Sequence, residues 1–303
     1  MKYILYYLIF PGFLFSSIVG LLACWVDRKV TARLQWRVGP PWHQNFTDLV
    51  KLLGKEVIVP ESAKLTFLLS PYLGLISVVL VCTGLGRIII LPLDSFGVDL
   101  IVFFYLLTVP AIALIIGASA SRNPLASVGA SREAKLILAY ELPFILAIIV
   151  VVIKSRGAIQ IGQIIQYQMI FGSNLFSISG FLSFIAAIFC IQAKLGTGLF
   201  DIAEADQEIM CGTLIEYSGL PLAIFKLTKA LMLYIVPLFI IVLFLGRDLS
   251  PVFLTAKYLM LLVIIILFKN TNPRLRIDQA LRFFWRIPTL LAGAAVVLAI
   301  CGL

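Results

Sequence analysis

The chain has 303 residues, 61% of them hydrophobic and only 13% charged, with a mean hydropathy of +1.08. So apolar a composition excludes a water-soluble domain, in which roughly 45 to 50% apolar residues are usual. The net charge of +9 does not point to nucleic acid, because the lysines and arginines lie between apolar runs, as topology determinants do, and not on one continuous polar surface.

An α-helix rises 1.5 Å per residue, so crossing a ~30 Å hydrocarbon core takes ~20 mostly apolar residues. Eight runs approach that length: Ile4 to Val26, Leu65 to Leu91, Leu100 to Ser121, Leu136 to Ile153, Phe176 to Ala193, Leu220 to Leu245, Val252 to Phe268 and Ile287 to Leu303. The first is long enough to span and has no small-residue cleavage site before the next run, so it reads as a retained helix and not a signal peptide. The chain therefore reads as an all-α polytopic integral membrane protein of about eight transmembrane helices, with residues 1–303 as a single transmembrane domain in the lipid bilayer. No internal repeat is apparent, which counts against the inverted-repeat transporter architectures.

Lysine and arginine are retained on the cytoplasmic side when loops are short. The odd-numbered loops carry most of them: Arg28, Lys29, Arg33, Arg37, Lys51, Lys55 and Lys64 in the first, Arg122, Arg132 and Lys135 in the third, Lys194 in the fifth, and Lys269, Arg274, Arg276, Arg282 and Arg286 in the seventh. The predicted topology in the cell membrane has both termini outside and these loops cytoplasmic. In the first loop Phe46, Leu49, Val50, Leu53 and Val57 are spaced as on one helical face. That amphipathic helix either rests on lipid headgroups or walls a cavity or docks a partner. His43 follows Gly39-Pro-Pro-Trp42 in a tight turn, where a single histidine reads first as structural, although its ordinary pKa of ~6.5 suits proton work.

The fifth loop breaks the charge pattern. Against one lysine it sets Asp201, Glu204, Asp206, Glu208 and Glu216. On a helix Asp201, Glu204 and Glu208 would share one face, and like charges so close disfavour joint ionisation, which suits coupled proton transfer. The bland alternative is a solvated acidic loop paired with basic residues of another subunit. Glu141 stands inside an apolar run just before Pro143, where a carboxylate costs ~2.5 to 3.5 kcal/mol unless it faces a cavity or partner, or reaches the interface. Glu133 lies two helical turns earlier on nearly the same face. Lys226 and Lys229 fall in the first turns of the sixth run, with the acidic loop as the nearest counter-charge and snorkelling as the alternative. Asp278 among Arg274, Arg276, Arg282 and Arg286 suggests a structural salt-bridge network.

Five scattered cysteines without a C-x-x-C pair, a single histidine, and no P-loop or dinucleotide fingerprint leave no metal ligands, cofactor site or catalytic residue to assign in this chain. Any redox chemistry must sit in another subunit.

Several strings together resemble one family. Asp27-Arg-Lys-Val-Thr-Ala-Arg-Leu-Gln-Trp-Arg-Val-Gly-Pro40, Phe200-Asp-Ile-Ala-Glu-Ala-Asp-Gln-Glu208 with Glu216-Tyr-Ser-Gly219, and Arg274-Leu-Arg-Ile-Asp-Gln279 are similar to the cytoplasmic loops of the complex I membrane-anchor subunit family. Gly39-Pro-Pro-Trp-His-Gln-Asn-Phe46, Asp48-Leu-Val-Lys-Leu-Leu-Gly-Lys-Glu56 and Phe225-Lys-Leu-Thr-Lys-Ala230 look closer to its hydrogenase-type branch, the membrane subunits of energy-converting and membrane-bound hydrogenases and of formate hydrogenlyase. Complex I usually has an acidic residue where this chain has lysine in the last string, a departure that argues against a quinone-type site.

The resemblance implies a non-catalytic membrane anchor and coupling subunit of a multi-subunit oxidoreductase. Its partners would be soluble nickel-iron hydrogenase-like large and small subunits, a ferredoxin-like iron-sulfur subunit and antiporter-like membrane subunits, with the nickel-iron and iron-sulfur centres in those partners. Glu133, Glu141, Asp201, Glu204, Asp206, Glu208 and Glu216 match the family's proton-conducting carboxylates, with Lys226 and Lys229 tuning their charge. Arg28, Arg33, Arg37, His43, Arg274, Arg276 and Asp278 would line the docking face or a cavity. A sulfur-reducing relative would look nearly the same in this subunit. The other readings are a complex I subunit contributing to a quinone site, a stand-alone ion-coupled secondary transporter, and a purely structural anchor.

Overall fold

The computed structural model describes residues 2–60, 65–91 and 99–302, without the side chains of residues 2–4 and 206. Lys64 of the first basic loop lies outside them. The described residues form helices α1 (Lys2–Leu8), α2 (Phe13–Leu34), α3 (Gln44–Leu53), α4 (Leu65–Ile90), α5 (Leu100–Leu106), α6 (Val109–Ala120), α7 (Pro124–Lys154), α8 (Ile161–Phe171), α9 (Ile178–Lys194), α10 (Asp206–Ile209), α11 (Gly219–Leu245), α12 (Pro251–Thr271) and α13 (Ile277–Ile300).

Seven stretches are long and apolar enough to cross a membrane, and α9 is a shorter apolar helix. The all-α polytopic reading is thus borne out, with the helix order the apolar runs predicted. The boundaries moved where polar residues belong to helices. α7 begins at Pro124, twelve residues before the apolar run, and α13 begins at Ile277, ten residues before its run. Pro124 at the first helical position and the Asn123 side chain, which accepts from the Leu125 N–H, start α7 in a polar segment that hydropathy alone assigns to a loop. Arg132, Glu133 and Lys135 therefore ride on a spanning helix, not in a loop.

α11 is the axis of the bundle, with 89% of its most apolar stretch buried. α2 and α4 pack along it, α6 covers α4, and α7 joins α6, α9 and α13 into a second group. In lipid the apolar effect does not drive helices together, so close backbone approach does much of that work. Gly20 on α2 is such a point, since a Cβ there would lie 2.7 Å from the carbonyl oxygen of Ala230 on α11. Gly20→Val is expected to force the two helices apart and to cost about 1–3 kcal/mol, read as an earlier midpoint of unfolding in denaturing detergent.

α3 settles against α2 and α11. Its buried Asn45 donates to the Leu21 carbonyl at 3.0 Å and accepts from Arg28 at 2.6 Å. Phe46 and Leu49 face the core, whereas Val50 and Leu53 are exposed and Val57 lies beyond the helix end. The amphipathic face is thus divided, one edge walling the protein and the other turned outward.

Candidate functional site: an acidic cavity beneath the loop between α9 and α11

The acidic loop is not the helix that its spacing suggested. Asp206–Ile209 forms one α-helical turn between 3-10 turns at Gly198–Phe200 and Gly212–Leu214, while residues 201–205 run as turn and coil. Phe200, Ile202, Ala203 and Ala205 are all buried, a succession that no single helical face can present. The expected shared face of Asp201, Glu204 and Glu208 is therefore corrected, and each carboxylate meets its own cation. Asp201 pairs with Arg274 at 3.1 Å, Glu204 pairs with Lys229, and Glu208 pairs with Arg132 at 2.7 Å.

The loop is clamped to the helices from several sides. Arg132 also reaches the Ile202 carbonyl at 3.4 Å, the Leu275 N–H donates to Leu199 at 3.0 Å, and Asn123 donates to Glu216 at 2.5 Å. Gly129 on α7 permits this approach, because a Cβ there would sit 2.8 Å from the Thr213 nitrogen and 2.9 Å from the Ala203 oxygen.

Between the loop and α6, α7, α9 and α11 lies a cavity of about 70 Å³. Its charged lining is Glu133, Asp201, Glu204, Lys194 and Lys229, and Phe200, Phe225 and Met232 are among its apolar walls. The Lys229 side chain keeps 44% of its surface accessible although it stands on the central helix, and it lines this cavity. Lys229 is therefore matched by a carboxylate and does not need to snorkel.

The other predicted residues are distributed around it. Glu141, on α7 and partly buried, is not in the cavity wall but acts electrostatically on Lys194. Glu208 points outward and Glu216 lies towards Asn123, and the Asp206 side chain is outside the described residues. Lys226 belongs to a different cavity of about 350 Å³ between α2, α3 and α11, shared with Asp27, Arg28 and Asp48. Arg28 bonds Asp48 at 3.4 Å, and Lys269 crosses from α12 to Asp27 at 2.8 Å.

Arg33, Arg37 and His43 are exposed, with the His43 ring edge-on to Trp42 at 5.7 Å. Nearby Trp36 is 98% exposed. The expected network around Asp278 does not form among the described residues. Arg274 turns to the acidic loop, Arg276 is exposed at the start of α13, and Asp278 sits exposed in the first turn of α13, where the helix dipole already favours a carboxylate.

Sequence reasoning missed Lys194. Counted as the topology lysine of the fifth loop, it is the last residue of α9 and only 8% exposed. No linear signal marks this, because burial comes from α5 and α7 packing over it. Among the described residues no group of three or more His, Cys, Asp or Glu side chains could hold a metal ion.

The hydrogen bond from Arg132 holds the Glu208 carboxyl below the usual carboxylate range. A lowered pKa means that the pair contributes at every pH above the ordinary value of ~4.3 and is lost only as the pH falls through the depressed one. Protease cleavage within the loop is expected to stay constant from pH 8 down to about pH 5 and to rise only in stronger acid, and Glu208→Gln should abolish that acid transition.

Known proteins share both the sequence pattern and the fold. The NADH dehydrogenase family matches residues 7–300. The chain belongs to that family. It is 30% identical over 285 residues to the H subunit of NADH-quinone oxidoreductase from Anoxybacillus flavithermus, covering 88% of this chain and 84% of that one. The corresponding protein of Dehalococcoides mccartyi strain CBDB1 is also 30% identical, over 97% of this chain and 85% of its own length. Among solved structures, a chain of the membrane-bound sulfane sulfur reductase, an archaeal respiratory membrane complex, aligns with a TM-score of 0.89 at 29% identity, over 99% of this chain and 100% of that one. The resemblance to the complex I membrane-anchor family is thus borne out. The protein is an integral membrane subunit of a complex I-related respiratory assembly.

Proposed function

We propose that this subunit anchors a soluble redox module of the hydrogenase type and couples its electron transfer to proton or sodium translocation. The observation that carries the reading is the cavity where Glu133, Asp201, Glu204, Lys194 and Lys229 converge under a loop clamped from several helices. A small chamber with alternating charge, walled by phenyl and thioether groups, lets a proton reside at low cost and confines its exit. In this reading the path runs from the acidic loop through Glu133 to Glu141, about 12 Å further along α7 at 1.5 Å per residue.

The exposed Trp36, Val38 and Trp42 beside Arg33 and Arg37 support docking on that side, because such residues are costly to leave in water and are enriched in interfaces. The basic odd loops support placing this face in the cytoplasm with both termini outside. The partners would be nickel-iron hydrogenase-like large and small subunits, a ferredoxin-like iron-sulfur subunit and antiporter-like membrane subunits, with the metal centres held there. Affinity purification through this chain tests the assignment. Copurification of a subunit with nickel-ligand cysteine pairs is expected, and isolation of the chain alone with ion transport in liposomes would refute it in favour of a transporter.

The quinone alternative draws on the cavity lined by Asp27, Arg28, Asp48 and Lys226 and on the relatives' names. Inhibition of the purified complex by quinone-site inhibitors, abolished by Lys226→Ala, would favour it.

A further inference from the structure

Lys194 lines the acidic cavity in an unusual environment. Its Nζ lies 5.2 Å from the ring centre of Phe104, 5.4 Å from that of Tyr140 and 5.3 Å from that of Phe144. Its hydrogen bond, to the Thr108 Oγ1 where α5 meets α6, is long at 3.4 Å. No carboxylate forms an ion pair with it among the described residues. Three aromatic faces attract an ammonium, yet they offer it no proton acceptor and replace only part of its lost hydration.

The groups around it are mostly titratable, with carboxylates outnumbering the one other cation. From α7 come Glu133, Tyr140 and Glu141, from α9 Cys190, from α11 Lys229, and from the loop Asp201 and Glu204. Tyr140 is fully buried, and its hydroxyl has no hydrogen-bond partner among the described residues. Tyr140 stands two turns after Glu133 on α7 and directly before Glu141. A fully buried hydroxyl without a hydrogen-bond partner, on a ring that faces a caged ammonium, is costly for a purely structural core.

A Lys–Glu pair has the same net charge whether the proton sits on nitrogen or on oxygen. In a dry site the charged and neutral forms of such a pair differ by much less than an isolated charge costs. The aromatic cage steadies the charged form, and the absence of a direct ion pair keeps it from being locked. We propose that Lys194 is the inner proton-exchange residue of the cavity, passing its proton towards Glu141 past the Tyr140 hydroxyl and being reprotonated from the side of Asp201 and Glu204. An N–H bond of the ammonium breaks as an O–H bond forms on the Glu141 carboxyl, and the nitrogen lone pair so freed takes the next proton from the cavity.

This step rests on the ion-path reading above, and the test separates the two. The intact complex is reconstituted in liposomes with Lys194→Met and Lys194→Arg, alongside Glu133→Gln and Glu204→Gln, and the ions moved per electron pair are measured for preparations with wild-type subunit ratios. Both Lys194 variants are expected to lower that ratio at least about tenfold, the size of effect typical of losing a positioned acid or base. Methionine keeps the apolar stem without a titratable nitrogen, and arginine keeps the charge and stacks on the rings but does not release its proton. Full coupling in Lys194→Arg, or in Lys194→Met, overturns the assignment. If the two glutamine variants lose coupling while the Lys194 variants keep it, only this step falls. If none of the four loses coupling, the ion path falls with it.

Discussion

Glu141→Gln in the assembled complex is expected to cut the proton or sodium gradient made per electron pair by about tenfold or more, in the range lost with a positioned proton carrier. Glutamine preserves volume and hydrogen bonding, so what disappears is the ability to hold and release a proton. Glu141 is the eighteenth of the 31 residues of α7, well inside the helix. A carboxylate retained inside an apolar run is expensive without a function or a partner. The measurement is ion uptake into liposomes at matched electron-transfer rate, with copurifying subunits as the control for assembly. An unchanged ratio would remove Glu141 from the path.

Phe200→Ala is expected to have the largest effect on stability, about 3–5 kcal/mol, as for other buried phenylalanines truncated to alanine. Phe200 is 2% exposed and packs its ring against Phe284 at 4.9 Å and Phe283 at 6.1 Å. It is also the residue immediately before Asp201, so it sets where the first carboxylate of the loop sits. The loss should appear as an earlier unfolding midpoint in denaturing detergent and as faster protease cleavage of residues 198–216. Coupling should fall as well, because the Asp201 to Arg274 contact depends on the same anchor. Phe200→Leu, which keeps much of the buried surface, is expected to restore most of both.

Glu208 shows how the site differs from a simple acidic cluster. With its charge fixed by Arg132, it holds the loop closed and is poorly placed to carry protons at neutral pH. The carboxylates that line the cavity are instead Glu133, Asp201 and Glu204. The difference between a carboxylate clamped at the surface and one that lines the cavity is a property of where the chain folds, since in sequence the five acids of the loop look alike.

Membrane insertion, the number and order of spanning helices, and the identity of the acidic loop were legible in the sequence, because each depends on composition over a window and the bilayer imposes one length on every crossing. The strings around Asp27, Phe200 and Arg274 likewise carried the family resemblance without any structure. Which cation meets which carboxylate was not legible. Lys194 reads in sequence as the topology lysine of the fifth loop yet is buried, Asp278 forms no ion pair with the nearby arginines among the described residues, and Asp201, Glu204 and Glu208 do not share a helix. Those outcomes follow from contacts between residues tens to hundreds of positions apart, Arg132 with Glu208, Arg274 with Asp201, and Lys194 under the rings of Phe104, Tyr140 and Phe144. Hydropathy and periodicity act along a single helix, whereas the electrostatic fate of a side chain is set by the dielectric and the counter-charges that other helices bring to it, and these exist only once the bundle has closed.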